Sequence, residues 1–174
     1  MITALRIGAT ILGLLPALAS AQLVSVKTLS LDMTLTLLNT ATKCAKSDKV
    51  TVAIVDRNQV LLASFRGPLA TVNTVDIARR KAATAAQFGR GSGELGGPGR
   101  GPAPGVPANP AVNPDVARLN QLLTMSSAGE LILGGALPIK LGDETIAAIG
   151  VSGIGPMEEA CAKEAIAAIQ NQLK

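Results

Sequence analysis

The stretch KVTVAIVDRNQVLLASFR (residues 49–66) decides the fold class. KVTVAIVD (49–56) is dense in β-branched residues and reads as a largely buried strand. Arg57-Asn58 makes a turn, QVLLASFR (59–66) returns as the antiparallel partner, and Gly67-Pro68 ends the hairpin. GGALPIKLGDETIAAIGVSG (134–153) repeats the pattern, with strands near 135–141 and 144–151 joined by a tight turn at Gly142-Asp143. Helical spacing fills the intervals. Ser30 suits an N-cap, and Leu31, Leu35, Leu38 and Thr42 follow at helical spacing to about Ala45. A second helix spans about Val72 to Phe88, with Asn73 or Thr74 as its cap and Asp76 at the positive end of its dipole. A short helix is expected at about Asp115 to Thr124, and a last one from about Pro156 to Leu173 with Glu158 and Glu159 in its first turns. The order β-β-α…β-β-α predicts an α+β arrangement, antiparallel hairpins with helices packed on the sheet.

Two segments stand outside that pattern. The chain opens MITALRIGATILGLLPALASAQL: Arg6, an apolar run from Ile7 to Leu18, then Ala19-Ser20-Ala21. This is the layout of a signal peptide over residues 1–21, cleaved after Ala21, and it predicts a periplasmic or secreted protein. The run is too short to span a bilayer and is interrupted by Pro16, so no membrane span is expected after cleavage. Residues 22–174 then form one domain. Within it GRGSGELGGPGRGPAPGVPANPAVNP (89–114) is a Gly/Pro-rich insertion that cannot hold a regular helix or central strand, and is either irregular coil or a functional flap.

Composition excludes several functions. The formal charge of +4 falls to +3 when Arg6 is removed. With no Trp, no Tyr and two Phe, the chain lacks the stacking residues that accompany basic patches in nucleic-acid binders. Histidine is absent, which removes Ser-His-Asp and Cys-His catalysis, His-rich zinc sites and the usual axial ligand of haem. GRGSGELGG follows a helix and lacks a Gly-Lys-Ser/Thr ending, so it is not a phosphate loop. Residues 150–154 read Gly-Val-Ser-Gly-Ile, short of a nucleophile elbow at Ser152. Cys44 and Cys161, an even pair in an oxidising compartment, predict a disulfide between the first and last helices; two buried thiols are the alternative.

The second helix carries Arg79, Arg80 and Lys81 and then a run of small residues. Lys81, Thr84 and Phe88 fall on one side, a cation, a hydroxyl and a ring that would suit one wall of a site for a carboxylated apolar ligand. The alternative is a surface helix with a solvated basic start and an alanine face on the core. Arg66 ends an apolar strand and offers a donor fork to a carboxylate, or else a salt bridge at the sheet edge. Asp56 suits backbone N–H groups at the hairpin turn.

Together VTVAIVDRNQVLLASFR (50–66), ARRKAATAAQFGR (78–90) and GGALPIKLGDETIAAIGVSG (134–153) with EEACAKEAI (158–166) resemble, in order and spacing, the GlcG/HbpS-like family, which includes haem-binding proteins and the C-terminal domain of PduO. The likeness covers about Ser30 to Ile169. It implies a profilin-like fold, a five-stranded antiparallel sheet flanked by helices, and assembly into a homo-oligomer. Lys81, Ala82, Thr84 and Ala85 match the family's Lys-Ala-x-Thr-Ala motif, and Asp56 and Arg66 match its hairpin Asp and Arg. Three departures matter: Arg57-Asn58 where the family often has a glycine in the turn, Gly67-Pro68 where an acidic residue commonly follows the Arg, and the absence of histidine. The expectation is an exported, non-catalytic binder of a small anionic ligand, haem or another anionic cofactor. Arg66 and Lys81 would receive its carboxylates, and Thr84, Phe88 and Asp56 would complete the site. A self-assembling accessory subunit of an exported system and a haem-degrading enzyme are the alternatives, although no residue pair forms an acid–base couple.

Overall fold

The computed structural model describes residues 25–94 and 131–173. The signal-peptide segment, the short helix expected at 115–124 and most of the Gly/Pro-rich insertion lie outside the described residues.

Helix α1 covers Leu31–Ala45 and starts as expected, Ser30 Oγ accepting a hydrogen bond from the Met33 amide at 3.2 Å. Its buried face is Met33, Leu37 and Ala41, whereas Leu31 and Leu35 of the expected stripe are exposed. The hairpin that sets the fold class follows as β1 (Thr51–Asp56) and β2 (Leu61–Arg66). Asp56 builds the turn: its Oδ1 accepts from the amides of Asn58 (2.8 Å) and Val60 (2.9 Å). Helix α2 covers Thr74–Phe88. Asn73 holds the N-cap position without a side-chain cap bond; Thr74 donates instead to the Thr71 carbonyl at 2.6 Å. Strands β3 (Ala136–Leu141) and β4 (Glu144–Ser152) pair around a turn at Gly142, where φ is +62°. Pro156 lies in a 3-10 turn, Gly155–Met157, ahead of α3 (Glu158–Ile169).

The sheet runs β2-β1-β4-β3 with every neighbour antiparallel. The class is α+β, as the order of elements predicts. Four strands are present among the described residues, rather than the five implied by the family resemblance.

Strand alternation sends side chains to two different layers. Val52, Ile54, Ile149 and Val151 face α1 and α3 and form the larger core with Leu37, Ala41, Ala162, Ala165 and Ile169. The Cys44–Cys161 disulfide crosses between α1 and α3 (S–S 2.07 Å, Cα–Cα 5.4 Å). On the other face Val55, Ala136 and Ala148 meet Ala82, Ala85 and Ala86 of α2. Gly150 sets how near α2 comes: a Cβ there would stand 2.2 Å from the Ala78 carbonyl oxygen.

Candidate functional site

The basic run on α2 divides. Arg79 and Arg80 turn back to Asp76, at 3.0 and 3.7 Å, as pairs three and four residues apart on the helix surface. Lys81 goes inward and is 2% exposed. An ammonium has three hydrogens to place, and a buried one left unplaced is costly. Lys81 Nζ donates to the Gly134 carbonyl at 3.0 Å, to the Val151 carbonyl, and to Glu158 Oε2 at 2.6 Å. Glu158, 4% exposed, accepts the Gly155 amide on its other oxygen at 3.0 Å. The carboxylate that meets Lys81 is therefore the protein's own. Gly135, at φ +107°, is fitted to this pair: a Cβ would lie 2.6 Å from Glu158 Oε2 and 2.8 Å from Lys81 Nζ.

One turn along α2, Thr84 is also fully buried. Its hydroxyl accepts the Leu131 amide at 2.7 Å and stands 3.0 Å from the Leu131 carbonyl and 2.9 Å from that of Arg80. Lys81 and Thr84 are thus brought together, as their spacing predicts, and both fasten the 131–135 backbone to α2. The other expected ligand residues stand apart from them. Phe88 is 46% exposed at the end of α2, Arg66 closes β2 and donates to the Ala70 carbonyl, and Asp56 is occupied by its turn.

An open cleft of about 640 Å³ lies elsewhere, between the end of α2, the edge strand β3 and α3. Gly89, Arg90, Gly91 and Glu94 line one side, and Leu137, Pro138 and Lys140 of β3 a second. The third is the stripe Glu159, Lys163, Ile166, Ala167 and Gln170, one face of α3 by helical spacing. The opposite face of that helix, Cys161, Ala162, Ala165 and Ile169, is fully buried. Ser92 holds the first wall to the sheet, its amide donating to the Ala136 carbonyl at 3.0 Å and its Oγ accepting the Ala136 amide at 3.1 Å. Arg90, Lys140 and Lys163 enter no ion pair among the described residues. The cleft therefore offers apolar walls and three uncommitted cations, with Glu94 and Glu159 as its acids. Sequence reasoning missed all of these residues, since they come from three distant segments. The one local signal was the mixed polar and apolar stripe on the last helix.

A haem group fits this lining in part. Leu137, Pro138, Ile166 and Ala167 suit an apolar ring, and the cations suit its carboxylates. The lining has no imidazole, thiolate, thioether or phenolate, the side chains that ordinarily hold haem iron. No group of three or more His, Cys, Asp or Glu among the described residues could hold a metal ion, and no described helix is long and apolar enough to cross a membrane.

The family model described as haem degrading protein HbpS-like matches residues 29–167, and the chain belongs to that family. The crystal structure of HbpS is 27% identical, with a TM-score of 0.67 over 85% of this chain and 94% of that one. The PduOC–haem complex is 25% identical, with a TM-score of 0.64 over 82% of this chain and 96% of that one. The protein ORFY of Klebsiella pneumoniae, 24% identical with a TM-score of 0.66 over 86% and 96% of the two chains, shares the fold. No curated protein sequence matches the chain significantly.

Proposed function

We propose that this HbpS-like chain is an exported binding protein for a small amphipathic anion of the haem class, and that the α2–β3–α3 cleft is where it binds. The observation that carries the reading is the coincidence of apolar walls with three uncommitted cations, Arg90, Lys140 and Lys163, in a space of ligand size. A relative solved with haem supports the ligand class. The disulfide supports export, since such bonds persist in oxidising compartments. In this reading Lys81 and Thr84 serve the site from beneath, holding the 131–135 backbone that leads into β3. Arg66, Phe88 and Asp56, assigned to the ligand from the sequence, stand outside the cleft lining. Degradation, the activity in the family's description, is a reaction at the iron, and no side chain of the ordinary iron-holding types lines this cleft. Binding is the activity we carry forward.

The test is a titration of the purified protein with haemin, followed at the Soret band, beside a Lys140→Ala/Lys163→Ala variant. Saturation at a defined stoichiometry, weakened about tenfold or more in the variant, is expected from the loss of charge-assisted contacts. Equal binding by both proteins would remove the cleft as the site.

A second reading, a self-assembling accessory subunit, draws on β2. This edge strand leaves Leu61, Leu62 and Phe65 exposed, which is costly unless another surface covers them. Light scattering of the purified protein distinguishes a monomer from the homo-oligomer that this reading requires.

A further inference from the structure

We infer that the cleft recognises the edge of a tetrapyrrole and not its metal, so that the protein takes iron-free porphyrin as readily as haem. This rests on the reading of the α2–β3–α3 cleft as the ligand site.

Proteins ordinarily hold haem iron through His, Cys thiolate, Met or Tyr. The whole chain contains no His and no Tyr. Both cysteines are consumed in the Cys44–Cys161 disulfide, so no thiolate exists while that bond is closed. Met33 is buried in the core beneath α1, and Met157 is not a lining residue. Met1 and Met125 lie outside the described residues. The ammonium groups of Lys140 and Lys163 carry three donors each and no lone pair to give a metal. What the lining does supply is matched to the ligand's periphery: Leu137 and Ile166 for the ring face, and Arg90, Lys140 and Lys163 for the two propionates. Those features are identical in haemin and in protoporphyrin IX. Affinity drawn from them cannot depend strongly on whether iron is present.

The experiment titrates the full exported chain with haemin, by absorbance, and with protoporphyrin IX, by fluorescence, in the same buffer. Dissociation constants within about threefold of one another are expected, with both weakened together by Lys140→Ala/Lys163→Ala. Free imidazole added to the haemin complex should ligate the exposed iron and move the Soret band without releasing the haemin. Glu94→Gln and Glu159→Gln each take a negative charge from the lining and should strengthen haemin and protoporphyrin IX binding alike. Haemin binding more than about tenfold tighter than protoporphyrin IX, or a loss in either Glu variant confined to haemin, would overturn the inference while leaving the cleft as a haem site. Failure of both ligands to saturate would overturn the reading of the cleft itself, and the inference with it.

Discussion

The two faces of the sheet are held by different means. Under α1 and α3 the contacts are branched aliphatic side chains, Leu37, Val52, Ile54, Ile149 and Ile169, closed by a disulfide. Each buried methylene there contributes roughly 0.8 kcal/mol. Under α2 the side chains are mostly alanines, which bury little apolar area per residue. The closeness of two backbones at Gly150 and a set of buried polar bonds take over: Lys81 to Glu158, Thr84 to Leu131, and Thr51 to Thr74 at 2.8 Å. Apolar packing tolerates small displacement, whereas a buried ion pair tolerates almost none. The α2 face is therefore the more exacting in register, and the α1–α3 face supplies more of the stability.

The largest effect that can break this contrast is at Lys81. Lys81→Met leaves the Glu158 carboxylate buried without its cation and should cost about 3–5 kcal/mol in denaturant unfolding. Adding Glu158→Leu should recover much of that loss, because the buried carboxylate is then removed together with its Lys81 partner. If the double variant is no more stable than the single one, the pair does more than satisfy itself.

The next effect is on the opposite face. Replacing both Cys44 and Cys161 by Ala opens a crosslink between residues 117 positions apart. A loss of about 2–4 kcal/mol is expected, with far-ultraviolet circular dichroism unchanged because the aliphatic core remains. Loss of the native spectrum would show that this core cannot close unaided.

The smallest effect lies at the rim. The Glu144 carboxyl is held below its ordinary value of 4.5, first by the hydrogen bond from Lys27 and then by that from Arg57. A carboxyl whose value is lowered by folding contributes stability above its ordinary value and loses that contribution as pH falls through the folded one. Glu144→Gln should therefore lower the melting temperature slightly at neutral pH and not at all in acid, and added salt should shrink the difference. A difference that persists in acid would mean that the residue acts through packing rather than charge.

The same contrast explains what could be read from the chain. The hairpin at 49–66 was legible because β-branched residues accumulate where a strand is buried on both sides, as β1 is. The alanines of α2 likewise pointed to a face on the core, although not to the Gly150 that lets it come near. The buried stripe of α1 was not legible. Leu31 and Leu35 compete with Met33 and Leu37 around the whole helix, and spacing alone cannot choose between two apolar faces. Lys81 was assigned to a ligand carboxylate because its partner lies 77 residues further on, beyond the reach of any local pattern. The cleft failed to show for the same reason: Arg90, Lys140 and Lys163 become neighbours only after α3 has docked.

The Cys44–Cys161 bond also changes the covalent topology. It turns residues 44–161 into a closed ring that contains both hairpins, α2 and the Gly/Pro-rich insertion, with most of α1 and of α3 on the arms outside it. A single cut of the main chain anywhere in that ring yields no separate fragment. The nicked protein keeps its mass in a non-reducing gel and separates into two bands only after a thiol is added. A cut in the insertion therefore leaves all four described strands covalently joined.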